Sequence, residues 1–79
     1  MTTAKPSSYR FWELRWNEIA ALDRDSTLII QPTGAIEQHG HHLPVDTDIH
    51  DSSEIAYRVA EKAMATDGFG TVLVAPPVW

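Results

Sequence analysis

Apolar residues recur along the chain at two different spacings, and the change of spacing predicts the secondary structure. In the stretch Phe11–Leu22, the apolar residues Trp12, Trp16 and Ile19 follow one another at intervals of four and three, which predicts an amphipathic helix. Thr27–Gln31 is then a short β-branched run without alternation. Such a run is typical of a strand that is buried on both faces, as in a parallel sheet.

The same two patterns return in the second half of the chain. A second helix is predicted to begin at Asp48 or Asp51, and Asp51 and Glu54 have the spacing of a capping box. Its apolar positions at helical spacing are Ile55, Ala56, Val59, Ala60 and Ala63. The glycines after Asp67 are expected to end this helix, and Thr71–Ala75 predicts a second buried strand.

The order helix, strand, loop, helix, strand contains one βαβ unit, whose strands are expected to be parallel. A parallel sheet needs more strands than two, with helices on both faces. The chain ends at Trp79, directly after the second predicted strand, where a loop of an active site is expected. We therefore predict a flexible N-terminus over residues 1–9. Residues 10–79 are predicted to be the N-terminal part of an α/β domain that another chain or fragment completes.

Composition narrows the classes of function. The 79 residues carry 6 Lys and Arg against 11 Asp and Glu, a net charge of −5, which argues against a nucleic-acid partner. Cysteine is absent, so neither a disulfide nor a thiolate contributes. No apolar run approaches the roughly 20 residues of a membrane span, and the N-terminus lacks the apolar core of a secretory signal. We expect a soluble, cytoplasmic protein without a membrane partner.

Histidines and carboxylates are concentrated between the first strand and the second helix. The four histidines are His39, His41, His42 and His50. No Lys or Arg lies between Arg24 and Arg58, whereas that interval contains the carboxylates Glu37, Asp46, Asp48, Asp51 and Glu54. Imidazoles and carboxylates without a basic neighbour are most simply stabilised by a divalent cation. This cluster also follows the carboxyl end of a strand, where ligands bind in open α/β sheets.

Three of these side chains have the spacing for a shared site. Glu37 and His39 lie two residues apart, so on extended backbone they point to the same side. Asp48 lies at the start of the next helix, where the chain can turn back toward the strand end, and a carboxylate can bridge two metals. Mixed nitrogen and oxygen ligands favour Zn²⁺ or Mn²⁺. A surface role for Glu37 is the alternative reading of the same spacing.

The stretch GAIEQHGHHLPVDTD at residues 34–48, with the later Ala-Pro-Pro-Val-Trp at 75–79, resembles the creatininase (creatinine amidohydrolase) family. The resemblance spans nearly the whole chain and covers the N-terminal part of the family's domain. It implies a parallel-sheet, layered α/β fold of the creatininase type. Of that fold, this chain supplies roughly the first two strands and two helices.

The resemblance also implies roles for individual residues. By position in the motif, Glu37 binds one of two divalent metal ions, His39 binds the other, and Asp48 bridges them, with zinc expected before manganese. The remaining His and Glu ligands of the family lie outside this chain. The family usually has proline at the position of His41, which is expected to face solvent or substrate. His42 is expected to orient a ligand or to pack in the loop.

The resulting hypothesis is a metal-dependent amidohydrolase that cleaves a non-peptide C–N bond, such as a cyclic amide or a formamide, in a small-molecule substrate. A metal-activated water attacks the carbonyl carbon, and the proton donor is expected outside this chain. The alternative is a non-catalytic metal-binding or structural subunit. Expected partners are the C-terminal portion of the fold, as a separate chain or a cleavage product, and further copies in a homo-oligomer, for which the family suggests a hexamer.

Overall fold

The structure is a computed structural model that describes residues 5–79. A single 3₁₀ turn at Phe11–Glu13 comes first. The regular elements that follow are α1 (Trp16–Ala20), β1 (Thr27–Ile30), α2 (Thr47–Met64) and β2 (Thr71–Val74). The two strands pair in parallel, as predicted, and α2 packs on β2. A small parallel sheet with helices is the α/β arrangement expected for a fragment of the larger fold.

The register of the two strands places Thr27 opposite Thr71 and Ile30 opposite Val74. Backbone pairing continues beyond the carboxyl ends of the strands, because the Gly34 N–H donates to the Val78 carbonyl at 3.2 Å. The segments that leave the two strands therefore stay side by side. This continued pairing fixes where the histidine-rich loop begins.

β2 is the more enclosed of the two strands. The Val74 N–H donates to the Tyr9 carbonyl at 2.7 Å, so the chain near Arg10 covers the edge of β2 opposite β1. Leu73 and Val74 are both fully buried. β1 has one strand neighbour within residues 5–79, and its Leu28 and Ile29 are 61% and 50% exposed. The prediction of a first strand buried on both faces is therefore wrong for the chain as described.

The core between α2 and the sheet is built from small residues. Ala56, Ala60 and Ala63 pack against Val72 and Val74. Alanine allows the helix to approach the sheet closely, and the contact removes the valine side chains from water. The predicted apolar face of the helix is divided, because Ile55 and Val59 point away from this core and are 64% and 51% exposed.

The predicted helix over Phe11–Leu22 is interrupted. Leu14 and Arg15 are extended, and α1 begins only at Trp16. The Glu18 carboxylate accepts the Arg15 N–H at 3.1 Å and so caps a new helix start. This bond, with others from Ser7, lowers the pKa of the Glu18 carboxyl. The single tryptophan-bearing stripe expected from the sequence is therefore not formed.

The start of α2 agrees to within one residue with Asp48, the first of the two predicted positions. The helix begins at Thr47, whose N–H and hydroxyl both donate to the Pro44 carbonyl at 3.3 and 2.7 Å. Asp48 consequently lies in the first turn. Asp51 lies inside the helix, so a capping box at Asp51 is wrong.

The N-terminal segment makes contacts with the far end of α2. Lys5 Nζ donates to the carbonyls of Ala63, Met64 and Thr66 at 2.8, 3.2 and 2.9 Å. Residues 1–4 lie outside the described residues. Flexibility over residues 1–9 and the division at residue 10 stay predictions. Among the helices described, none combines the length and the apolar character that crossing a bilayer requires.

Candidate metal centre

The loop from β1 to α2 is held close to the first turn of that helix. Gly34 lies directly against the backbone of Asp48 and Ile49, and a Cβ atom at Gly34 would be 2.9 Å from Asp48 C and from Ile49 N. Ile49 is buried on the inner side of the helix. Asp48 is therefore placed over the carboxyl end of β1, on the side of the histidine-rich loop.

A tight turn presents His39 to this helix end. His39 and Leu43 form an antiparallel bridge, and Gly40 between them has a φ of 76°. The Gly40 N–H donates to Oε1 of Gln38 at 2.9 Å. A Cβ at Gly40 would lie 3.1 Å from the ring of His42, so glycine is suited both to the left-handed backbone and to the close imidazole.

His39 meets Asp48 across the gap between the loop and α2. Its Nδ1–H donates to the Glu37 carbonyl at 2.9 Å, and Nε2 lies 3.2 Å from Oδ1 of Asp48. The Glu37 carbonyl is the main cause of a raised His39 pKa, and the Asp48 carboxylate raises it further against the effect of partial desolvation. Both ring nitrogens of His39 therefore have an oxygen acceptor within hydrogen-bond distance.

The pair fits one divalent cation in donor type and in separation. Ligating histidines usually donate their second ring N–H to a carbonyl or carboxylate, and the Glu37 carbonyl fills that role for His39. Two ligands of a tetrahedral zinc ion lie about 3.3 Å apart, and the observed separation from Asp48 is 3.2 Å. The separation is therefore also compatible with two ligands of one cation, which would lie off the line between Nε2 and Oδ1.

Glu37 contacts His39 through its backbone and not through its carboxylate. Its N–H donates to the Val45 carbonyl at 3.2 Å, its carbonyl orients His39, and its carboxylate is on an exposed residue. No three His, Cys, Asp or Glu side chains within residues 5–79 form a group that holds a metal ion. The structure thus brings together two of the three predicted ligands, and ligation by Glu37, His39 and Asp48 stays a prediction.

The other histidines are exposed. His41 and His42 lie in the turn after His39, and His50 lies in the first part of α2. The orienting or substrate-facing roles of His41 and His42 stay predictions. Sequence reasoning missed the contact of the Glu37 carbonyl with His39, and the i, i+2 spacing of these two residues is the signal that would have suggested it. A role in backbone shape was expected for Gly34, which does lie directly against the backbone of Asp48 and Ile49.

Comparison with known proteins identifies the class. The family model for creatininase, described as creatinine amidohydrolase, matches residues 12–79. The chain therefore belongs to the creatininase family, as the motif at residues 34–48 implied.

Two curated relatives share part of this chain. A mycofactocin precursor peptide peptidase from Mycolicibacterium smegmatis is 43% identical over 51 residues, which are 65% of this chain and 20% of the relative. A creatinine amidohydrolase from Pseudomonas putida is 37% identical over 51 residues, 63% of this chain and 20% of the relative. The chain thus spans about a fifth of the length of these relatives. No solved structure matches it significantly.

Proposed function

We propose that the chain contributes to a metal-dependent hydrolase of C–N bonds. The observation that carries the proposal is the His39–Asp48 pair, with Nε2 and Oδ1 3.2 Å apart and the opposite ring nitrogen on the Glu37 carbonyl. The ring is thereby oriented toward a carboxylate from another element. Creatininase family membership supplies the reaction class, hydrolysis.

Each residue has a distinct part in this proposal. His39 offers Nε2 as a nitrogen ligand, and the Glu37 carbonyl fixes its tautomer by accepting the Nδ1–H. Asp48 offers one oxygen toward His39 and has a second for a neighbouring ion. Divalent ions held by these residues, zinc first and manganese second, would lower the pKa of a bound water toward about 7 and would polarise a substrate carbonyl. Glu37 is proposed as a ligand whose carboxylate turns toward the site when the ions bind.

The rest of the machinery is proposed to come from outside these residues. Two side chains do not complete one four-coordinate shell, and no group of three potential ligands forms within residues 5–79. Further His and carboxylate ligands and the proton donor are therefore assigned to the remainder of the fold, either in the same protein or on an associated chain. Assembly as a homo-oligomer belongs to the same proposal.

The preferred substrate is a small molecule with a non-peptide amide, such as a cyclic amide or formamide. The name of the Pseudomonas putida relative supports this choice. A peptide amide is the second candidate, because the relative with the higher identity, 43%, carries the name of a peptidase that acts on a precursor peptide. Both substrates present a carbonyl beside a nitrogen, and the His39–Asp48 pair does not distinguish between them.

Metal content and activity together test the proposal. The full protein should contain zinc or manganese and should lose hydrolysis of a cyclic amide or a peptide on chelation, with recovery when the metal is returned. His39→Ala should lower both metal content and activity, whereas His50→Ala, a matched change at an exposed histidine in the same region, should lower neither. Activity that is indifferent to chelator, or equal metal loss in both variants, would contradict it. A protein that binds metal and hydrolyses none of these substrates would favour a non-catalytic metal-binding subunit.

A further inference from the structure

Gly34 occupies the closest backbone contact between the exit of β1 and the start of α2. The atoms that a Cβ would meet are Asp48 C and Ile49 N at 2.9 Å and the Asp48 carbonyl oxygen at 3.2 Å. All three are backbone atoms, so no side-chain rotation relieves the overlap. A larger residue must displace either the strand exit or the first turn of α2.

Space, and not backbone conformation, explains glycine at this position. Positive φ angles among the described residues occur at Gly40 and Gly68, and Gly34 has none. Alanine at Gly34 therefore has an accessible backbone conformation, and its Cβ is the whole of the perturbation. Gly68 is the opposite case, with a φ of 80° and no atom within 4 Å of a Cβ.

The strand exit is held from its other side. The Gly34 N–H donates to the Val78 carbonyl at 3.2 Å, and Thr33 bridges Val78 in parallel. A Cβ at Gly34 is therefore relieved by movement of the Asp48–Ile49 peptide away from the loop. The displaced peptide is the one that carries the Asp48 side chain toward His39.

We propose that Gly34 is a positioning residue for the metal centre: its missing side chain sets the distance at which Asp48 faces His39. The effect of Gly34 on metal affinity rests on the proposed metal-dependent function. Its effect on the distance between His39 and Asp48 rests on the contact geometry alone. It assigns Gly34 no contact with metal or substrate. The short His39–Asp48 separation of 3.2 Å is what this close approach maintains.

Gly70 offers a matched control at the other end of the sheet. A Cβ at Gly70 would overlap the Ser26 carbonyl oxygen, again a backbone atom, and its φ is also not positive. The same substitution there strains the amino ends of β1 and β2. It leaves the loop that carries His39 untouched.

The test compares Gly34→Ala with Gly70→Ala in the full protein, by zinc affinity in a competition titration and by crystal structures of the metal-free proteins. We expect Gly34→Ala to weaken zinc binding by about tenfold or more, the range seen when a group that orients ligands is lost. Its Nε2–Oδ1 distance should exceed hydrogen-bond range. Gly70→Ala should lower the melting temperature while zinc affinity stays within about twofold of the parent protein.

Equal zinc affinity in the two variants, or an unchanged His39–Asp48 distance in Gly34→Ala, would overturn the positioning role. A parent protein that binds no zinc contradicts the proposed function instead, and the distance measurement then decides the role of Gly34. Should Gly34→Ala fail to fold, Asp48→Glu replaces it, because at a fixed backbone approach one further methylene shifts the carboxylate relative to Nε2 of His39. Zinc binding by Asp48→Glu should weaken about tenfold, and parent-like affinity would overturn the proposal.

Discussion

The two ends of α2 differ in how their polar groups are satisfied. At the C-terminal end, the Lys5 ammonium donates to the carbonyls of Ala63 and Met64 in the last turn and of Thr66 just beyond it. At the N-terminal end, Asp48 is not used as a cap and faces the imidazole of His39 from the neighbouring loop. The first arrangement joins distant parts of the chain and stabilises them. The second holds a carboxylate beside a histidine at a partly exposed surface, as the proposed metal centre requires.

The largest expected effect is on zinc affinity, which should depend on the N-terminal end of α2 and not on its C-terminal end. His39→Ala should weaken zinc affinity by more than about 100-fold, since loss of groups that merely orient ligands already lowers affinity about 10- to 100-fold. Lys5→Met should leave zinc affinity unchanged, because its contacts lie at the opposite end of the helix. Competition titration with a chromophoric chelator measures both variants. Similar losses in the two variants would remove the functional distinction between the helix ends.

Stability should show the reverse order. Lys5→Met should lower the free energy of unfolding by about 1–2 kcal/mol, because three carbonyls lose a charged donor at a partly exposed site. Lys62→Met is the matched control, since Lys62 is exposed in the last turn of α2. It should change the free energy of unfolding by less than about 0.5 kcal/mol. Denaturant unfolding measures the free energy of unfolding of both variants. Equal losses would show that any positive charge near the end of the helix stabilises it, without the specific contacts of Lys5.

Titration of His39 in the metal-free protein tests the interaction with Asp48 at the N-terminal end of α2. Its pKa is raised by the Glu37 carbonyl first and by Asp48 to a lesser degree. The interaction therefore stabilises the fold fully below the unfolded-state pKa, near about 6.5, and is lost as pH rises through the higher folded-state pKa. Asp48→Asn should lower the His39 pKa toward its ordinary value, as followed by NMR of the metal-free protein. An unchanged pKa would show that the carboxylate does not act on the ring.

The smallest expected effect lies between the two ends. Ser53 is buried, and its hydroxyl oxygen has no hydrogen-bond partner among the described residues. Removal of an unpaired buried hydroxyl relieves a desolvation penalty, so Ser53→Ala should leave stability unchanged or raise it by up to about 1 kcal/mol. Thermal unfolding of the full protein measures this. A loss of more than about 1 kcal/mol would indicate a partner for Ser53 beyond these residues.

Periodicity predicted the elements that local sequence determines. Both strands and the long helix are present because β-branched runs and helical spacing act within a few residues, and the parallel pairing follows from the βαβ order of these elements. The end of α2 before Gly68 follows in the same way. The motif at residues 34–48 likewise identified the family, since its spacing is a property of the sequence alone.

The remaining features depend on contacts between distant residues. The break in the first predicted helix follows from the Glu18 carboxylate, which starts a second helix at Trp16. The start of α2 at Thr47 and not at Asp51 follows from the Pro44 carbonyl. Exposure of β1 depends on which strands lie beside it, and periodicity carries no information about neighbours. Within the site, spacing suggested Glu37 as a ligand side chain, whereas the contact with His39 is made by its carbonyl.

An anomalous-difference map of zinc-loaded crystals of the full protein tests the metal-binding claim most directly. A peak about 2.0–2.2 Å from both His39 Nε2 and Asp48 Oδ1 is predicted, with Nδ1 still donating to the Glu37 carbonyl. Zinc bound elsewhere, with His39 and Asp48 still hydrogen-bonded to each other, would contradict it.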